Sequence, residues 1–260
     1  MTKFVGIISA KGGVGKTTTA INLGSALDVF KREVIVLDAN FSNPNIGLHL
    51  GFKNNDKTIH SALRGEHSIK HAITKHHTGL KVIPGGLSFE DSYRVKRANL
   101  VDVINQLTDY AEVVVIDSTA GLGENCKAVI SASDYLILIT SPDLISVADS
   151  LRLKRLVQVM QKKILGVIVN RVEGLDYEMT IPNIEVFLEE KVIGVIPEDK
   201  NIGMSLKHRS TVVHKYPYSP ASIAFKKTAA LLIGQKYSDH IEEEEKKSMF
   251  YYMLRNMGMV

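Results

Sequence analysis

Residues 9–19 decide the fold, and they read Ser9-Ala10-Lys11-Gly12-Gly13-Val14-Gly15-Lys16-Thr17-Thr18-Thr19. An apolar run, residues 4–8, precedes this stretch, and a run of helical composition, residues 20–27, follows it. The order of strand, glycine-rich loop and helix is the context in which a backbone loop binds phosphate groups. The pattern therefore predicts a phosphate-binding loop close to the amino terminus.

The residues of this loop have separate tasks in holding a nucleotide. Three glycines let the backbone wrap tightly with its N–H groups pointing inward, and the dipole of the following helix adds positive potential at the same point. Lys16 supplies a cation for the outer phosphates, and Thr17 places a hydroxyl where Mg²⁺ would sit. The residues predicted to contact the nucleotide here are Gly12, Gly13, Val14, Gly15, Lys16, Thr17 and Thr18.

Length and composition indicate one α/β domain. The chain has 260 residues, of which 45% are apolar, and this is enough for a single packed core. A formal charge of +4 does not by itself indicate a nucleic-acid partner. The single cysteine excludes a disulfide framework within the chain. There is no basic-then-apolar leader and no apolar window of about 18 residues, so we expect a cytoplasmic location.

Apolar runs alternate with helical segments along the chain. Five runs end in a polar residue or a turn, at Asp38, Asp117, Thr140, Asn170 and Pro197. Helices are predicted over residues 124–132, 144–161, 182–190 and 199–207. This alternation predicts a doubly wound, mostly parallel sheet with helices on both faces, formed by residues 1–236. Ligand groups are expected at the carboxyl ends of the strands.

A second lysine, Lys11, makes the loop resemble the deviant Walker A motif, KGGxGKT, of the MinD/ParA family of P-loop ATPases. The stretch 117–121, DSTAG, is similar to the family's DSPAG, with Thr119 where proline is usual. The segments 170–172, NRV, and 197–199, PED, match two further family elements. The resemblance covers about residues 3–235. It implies ATP or ADP with Mg²⁺ as cofactors and ATP hydrolysis as the activity.

The resemblance also assigns roles around the phosphates. In the family the counterpart of Lys11 reaches across a dimer interface to the partner's nucleotide, so the resemblance implies a homodimer that sandwiches ATP. Lys11 and Lys16 are then catalytic, and Asp38 belongs to both the catalytic and the metal group. Asp117 would hold Mg²⁺ through water opposite Thr17, unless it only caps the next turn.

Asn40 is a departure from the family pattern. The family has two carboxylates in a D-x-D arrangement, whereas this chain has Asp38-Ala39-Asn40. The second position is thought to orient the attacking water in the family. Asn40 cannot act as a base at neutral pH, although its carbonyl oxygen can accept a hydrogen bond from water. We therefore expect slow, partner-stimulated turnover and a long-lived ATP state. An asparagine that only shapes the loop, in a scaffold that hardly hydrolyses ATP, is the alternative.

Two strand ends are candidates for contact with the base. In the family an asparagine at the position of Asn170 contacts the adenine edge, and an amide that donates and accepts suits adenine. The alternative is a plain strand-end residue. The loop with Pro197 and Asp199 would wrap the base partly through backbone groups, and here a simple turn and helix cap is the alternative.

The last residues predict a tail with its own role. Residues 237–245 form an acidic linker, and residues 246–260 place Met249, Phe250, Met253, Leu254 and Met257 on one helical stripe. The resemblance implies an amphipathic helix that lies on an anionic membrane through residues 246–257, peripheral to the inner face of the cell membrane. One copy would bind weakly, and a dimer would gain avidity from two. A helix that packs on the protein itself or on a partner is the alternative.

Two functions follow as hypotheses. The first is an ATP-dependent dimerising switch that sits on the membrane and positions a partner, a protein activator or cargo, as in cell-division site selection. The second is a ParA-like partition ATPase that binds nucleic acid. A basic surface for that role would come from residues on the predicted helix 144–161 and just after it, and they are Arg152, Lys154, Arg155, Lys162 and Lys163. The alternative is that these charges are simply solvated.

Overall fold

The structure is a computed structural model that describes residues 1–52, 57–88, 91 and 99–237. Eight strands in this part of the chain form one sheet in the order β3-β4-β2-β5-β1-β6-β7-β8. Every neighbouring pair is parallel except β3 and β4. The strands are β1 Lys3–Ile8, β2 Val34–Asp38, β3 Thr74–Lys75, β4 Lys81–Ile83, β5 Val113–Asp117, β6 Tyr135–Thr140, β7 Lys163–Val172 and β8 Val192–Pro197. The predicted mostly parallel α/β sheet is confirmed.

Helices cover both faces of the sheet, as predicted. They are α1 Lys16–Val29, α2 Ile46–Leu50, α3 Ile59–Leu63, α4 Leu100–Asn105, α5 Glu124–Ala132, α6 Leu144–Val159, α7 Ile181–Leu188, α8 Lys200–Lys207, α9 Val212–Lys215 and α10 Pro220–Leu232, with a 3₁₀ helix at Ile69–Ala72. Apolar residues of α1, α9 and α10 pack on one face, and those of α3 to α7 pack on the other. None of the helices in the described ranges is long and apolar enough to cross a membrane.

Side chains that point alternately to the two faces of the sheet explain the apolar runs in the sequence. In β1, Val5 and Ile7 face α1, whereas Phe4 and Ile8 face the opposite layer. Because both faces are covered, consecutive residues of a central strand are all buried, and the run reads as continuously apolar.

Most predicted helices agree with the structure within two residues. The prediction over residues 124–132 coincides with α5. The predicted helix 182–190 ends earlier, at Leu188, because Glu189 adopts a left-handed conformation with φ of 50°. The helices α9 and α10 were not predicted, although α10 covers both α1 and β8. The predicted tail helix and nearly all of the acidic linker lie outside the described residues.

The register of three central strands places the candidate site. β5 lies between β1 and β2, and Asp117 at its end pairs with Asp38 in β2 and with Ile7 in β1. The phosphate-binding loop leaves β1 one residue later. Two carboxylates and the loop therefore meet at one carboxyl edge of the sheet.

Candidate nucleotide site

The glycine-rich loop closes directly onto the amino terminus of α1. Gly13 and Gly15 have φ angles of 80° and 91°, a left-handed conformation that favours glycine. A Cβ atom at Gly15 would lie 2.1 Å from the amide nitrogen of Asn170. A side chain is thus excluded at Gly15 both by the backbone conformation and by this contact.

The loop forms one wall of an open cavity of about 910 Å³. Seven of the residues predicted from the sequence lie in the cavity wall, and they are Gly12, Gly13, Gly15, Lys16, Thr17, Thr18 and Asn40. Val14, Asp38, Asp117 and Asn170 are buried just behind the wall. The structure therefore brings together the phosphate, metal and catalytic groups that the sequence indicates at one site, and their individual roles stay predictions.

Asp117 and Thr17 are in direct contact. The Thr17 hydroxyl donates a hydrogen bond of 2.6 Å to Oδ2 of Asp117. The other carboxylate oxygen, Oδ1, is buried and has no hydrogen-bond partner among the described residues. A buried carboxylate oxygen without a partner is unfavourable, so this atom is suited to a ligand.

The neighbouring carboxylate, Asp38, is held by backbone groups. Its Oδ1 accepts from the N–H of Asn40 at 3.1 Å, and its Oδ2 accepts from the N–H groups of Asn45 and Ile46, both at 2.9 Å. These bonds fix the loop that follows β2 against the end of the strand. Asp38 is thus oriented by its own loop, whereas Asp117 is oriented by the phosphate-binding loop.

Burial raises the pKa of both carboxylates. Asp38 and Asp117 are fully buried. Loss of solvation is the main cause for each, and the negative charge of Asp117 adds to it at Asp38. The charge of Lys16 and the Thr17 hydroxyl act in the opposite direction at Asp117.

The donor set fits Mg²⁺. Magnesium prefers carboxylate, hydroxyl and water oxygens. This edge of the sheet provides the Thr17 hydroxyl, a carboxylate oxygen without a partner in the described ranges and a second buried carboxylate. A cation here would add to the positive charge of Lys16 and help to neutralise two adjacent buried carboxylates.

Asn40 lies in the cavity wall with its amide partly engaged. Its Oδ1 accepts a hydrogen bond of 3.2 Å from the N–H of Asn43. The residue is 9% exposed, so its remaining polar capacity faces the cavity rather than bulk water. The bond to Asn43 shows that Asn40 shapes the loop, and it leaves one lone pair of the carbonyl oxygen for a water molecule.

Replacing Asn40 with aspartate is expected to accelerate ATP hydrolysis about tenfold or more, because a carboxylate both orients and accepts a proton from the attacking water. Single-turnover hydrolysis of Mg-ATP measures this step. The matched control is Asn43→Asp, which adds the same charge to the same cavity wall. Equal rates for wild type and Asn40→Asp, or an equal gain in the control, would contradict the expectation.

Asn170 anchors the phosphate-binding loop. Its amide nitrogen donates a 2.7 Å hydrogen bond to the carbonyl of Val14, while its Oδ1 is buried without a partner in the described part of the chain. Sequence reasoning proposed an adenine contact or a plain strand end for Asn170. The bond to Val14 gives it a further role, because it ties the end of β7 to the loop.

Pro197 and Asp199 do not line the cavity. The carboxylate of Asp199 accepts from the N–H of Asn201 at 2.8 Å and from the N–H of Ala221 at 3.1 Å. Asp199 therefore caps α8 and fastens the start of α10, in agreement with the alternative of a helix cap. Any contact of this loop with a base would involve its backbone, as the resemblance implied.

Lys11 lies outside the cavity wall, on an exposed rim. Its Nζ lies 3.4 Å from Oδ1 of Asp143, the residue that caps α6. Both side chains are about two-fifths exposed, at 43% and 41%. An ion pair of this kind contributes little in water, so Lys11 is readily released to another anion.

The basic surface suggested for nucleic acid is not formed as predicted. Lys154 is 4% exposed and donates to the carbonyl of Leu188 and the carboxylate of Glu189. Its ammonium group therefore satisfies a carbonyl at the end of α7 and is not available on the surface. Lys162 donates to the carbonyls of Ser131 and Ser133. Arg152 pairs with Asp149. Arg155 and Lys163 remain as exposed charges, too few for an extended basic surface.

Sequence reasoning missed several residues of the cavity wall. They come from the loop after β2, from α2, from the segment 119–125, from the end of β7 and from α8, and they include Ser42, Asn45, His49, Glu124, Asn125, Arg171 and Leu206. The segment after Asp117 and the NRV element, which contains Arg171, carried sequence patterns that pointed to the site. The others reach the cavity through tertiary packing.

The fold and this site define a P-loop nucleotide-binding protein. The model of the CobQ/CobB/MinD/ParA nucleotide binding domain matches residues 5–212. The chain therefore belongs to this family and is a MinD/ParA-type ATPase, and the recognition made from the loop is confirmed.

Individual relatives agree with this assignment. An ATP-binding protein of Methanocaldococcus jannaschii is 37% identical over 93% of this chain and 91% of its own. The cell-division ATPase MinD of Pyrococcus furiosus superposes with a TM-score of 0.86 at 29% identity, covering 90% of this chain and 99% of its own. The septum site-determining protein MinD of Pyrococcus horikoshii, solved with Mg-ADP, gives 0.85 at 27% identity, covering 89% and 96%.

Proposed function

We propose that this protein binds ATP with Mg²⁺, dimerises around it, and works as a switch that resides on the membrane and positions a partner protein. The observation that carries the proposal is the composition of the cavity rim. Lys11 sits on this rim beside three exposed apolar residues, Leu122, Leu144 and Ile145, which are 42%, 60% and 67% exposed.

Backbone and side-chain contacts tie these residues to the phosphate-binding loop. Asp143, the partner of Lys11, directly precedes Leu144 and Ile145, and Gly121, which precedes Leu122, donates its N–H to the carbonyl of Ser9 in the phosphate-binding loop. Exposed apolar residues grouped around a polar site are typical of a protein interface. A second copy facing this rim would cover the apolar residues and bring its Lys11 to the nucleotide.

The cavity supports the nucleotide part of the proposal. Lys16 and the loop backbone would hold the phosphates, and Thr17, Asp38 and Asp117 would hold Mg²⁺. The cation would polarise the transferred phosphoryl group, and Asn40 would orient water with one lone pair. Slow hydrolysis then leaves the dimer time to act before it separates.

The membrane part of the proposal comes from the sequence beyond residue 237. A stripe of methionine, phenylalanine and leucine residues over 249–257 would bind lipid weakly as one copy. Dimerisation would couple two copies and multiply the avidity about 10²–10⁴-fold. Nucleotide state would thereby control residence on the inner face of the membrane.

Sedimentation with anionic vesicles tests the proposal. Full-length protein is expected to sediment with a slowly hydrolysed ATP analogue and to stay in the supernatant with ADP. A variant that ends at residue 245 is expected to remain unbound with both nucleotides, while light scattering shows that it still dimerises with the analogue. Binding that survives this truncation, or that ignores the nucleotide, would reject the proposed switch.

A further inference from the structure

One stretch of the chain carries basic residues without any acidic residue. Residues 200–237 contain seven lysines and arginines and no aspartate or glutamate. The formal charge of the whole chain is only +4, so the remainder of the chain is net negative. The positive charge of this protein is therefore concentrated in the segment that forms α8, α9 and α10.

Contacts join this segment into a continuous surface with a hairpin of the sheet. Nε2 of His76, between β3 and β4, donates to the carbonyl of Arg209 at 3.0 Å. The ring of His77 lies 3.9 Å from that of His76. The helix α9, which begins just after Arg209, packs against α10 and α1. The surface thus runs from the hairpin across α9 to α10.

The end of the described chain lies on the same surface. Lys226 donates to the carbonyl of Pro217, and its Nζ lies 5.8 Å from the ring centroids of both Tyr218 and Tyr237. The ring of Tyr237 also contacts Phe30 at 6.0 Å. In the sequence, the acidic linker and then the residues predicted to bind lipid, 246–257, follow Tyr237.

Exposed groups of this surface have the chemistry of a membrane contact. Arg209, Lys215 and Lys236 are exposed, and none of them forms an ion pair with an acidic residue of the described ranges. Tyr218 is 63% exposed, and tyrosine is favoured at the level of lipid headgroups. Duplex nucleic acid would gain from the charges as well, but it would gain nothing from the sequence predicted to bind lipid, which follows the linker in the same chain.

We propose that this basic surface, formed by the hairpin around His77 and by residues 209–237, docks on anionic lipid headgroups and is the second membrane contact of the protein. The inference rests on the proposed membrane function. A single weak anchor gives marginal binding, and stable binding takes an anchor together with a polybasic patch. The four glutamates at 242–245 repel anionic lipid, and the charges of the surface offset them.

Vesicle sedimentation with two matched triple variants tests the inference. The first variant is Arg209→Gln, Lys215→Gln and Lys236→Gln. The control is Arg155→Gln, Lys163→Gln and Lys191→Gln, which removes the same charge from exposed positions elsewhere. Full-length proteins with the ATP analogue are mixed with vesicles of neutral lipid containing 0, about 15 or about 30% anionic lipid, at several salt concentrations.

The surface variant is expected to bind anionic vesicles at least about tenfold more weakly than wild type, with a flatter salt dependence, and the control is expected to bind as wild type does. Equal binding by both variants would overturn the inference and leave the proposed switch intact. Failure of wild type to bind any vesicle would overturn both. Wild-type binding to a duplex DNA probe that the surface variant alone loses, without vesicle binding, would assign the surface to nucleic acid instead.

Discussion

Lys16→Ala is expected to lower ATP turnover at least about a hundredfold and to weaken nucleotide binding by the monomer. Lys16 is the first residue of α1, lines the cavity and is 8% exposed, so its cation lies where water is largely excluded and where phosphates would bind. Loss of one well-placed electrostatic contact in such a site has an effect of this size. Calorimetry with Mg-ADP and a steady-state ATPase measurement give the two quantities.

The second lysine of the loop provides the control. Lys11 is exposed on the rim and its side chain pairs with Asp143, so Lys11→Ala is expected to leave the affinity of the monomer for ADP unchanged. ATP-dependent dimerisation, measured by light scattering, should be lost in this variant. If Lys11→Ala weakened ADP binding as much as Lys16→Ala does, both lysines would serve the phosphates of their own subunit, and the proposed dimer would lose its main support.

The two lysines of the loop show what the sequence could predict, because Lys16 lines the cavity whereas Lys11 pairs with Asp143 on the rim. Spacing within one short loop is a local property, so the strand, the loop and the first helix were predicted together. The same holds for Asp38 and Asp117, because parallel strands bring their carboxyl ends to one edge. Neither argument could show that Lys11 would contact Asp143, a residue 132 positions away.

The helices α9 and α10 were missed for a related reason. Pro217 and Pro220 interrupt the region, and proline is typical of turns as well as of the first turn of a helix. In the structure Ser219 caps α10 and Pro220 is its first residue, which is the favourable place for proline. The helix is then stabilised by packing against α1 and β8, which the local pattern does not contain.

Asp199 and Asn170 mark the limit of sequence reasoning at the site itself. For each of them, the residue type was compatible both with a contact to the base and with a purely structural hydrogen bond. The choice depends on partners that come from α10 and from the phosphate-binding loop, Ala221 and Val14. Such partners are known only once the fold has been assembled.

Asp117→Asn is expected to stabilise the protein without nucleotide while abolishing its response to magnesium. Burial raises the pKa of Asp117 to about 6, from an ordinary value of 3.8. A raised carboxylate pKa means that ionisation disfavours the folded state. This penalty is absent below about pH 4 and fully present above about pH 6, and it amounts to roughly 3 kcal/mol. Asparagine removes the charge and keeps a group that can accept from the Thr17 hydroxyl.

The free energy of unfolding, measured with urea in the presence of EDTA, should therefore be higher for Asp117→Asn than for wild type at pH 8, and the difference should vanish toward pH 4. Addition of Mg-ADP at pH 8 should reverse the order, because ligand binding stabilises only the protein that holds the cation. Asp176→Asn, at an exposed loop position, is the control and should change neither measurement. A variant less stable than wild type at pH 8 without magnesium would show that Asp117 is a structural carboxylate rather than one kept for a cation.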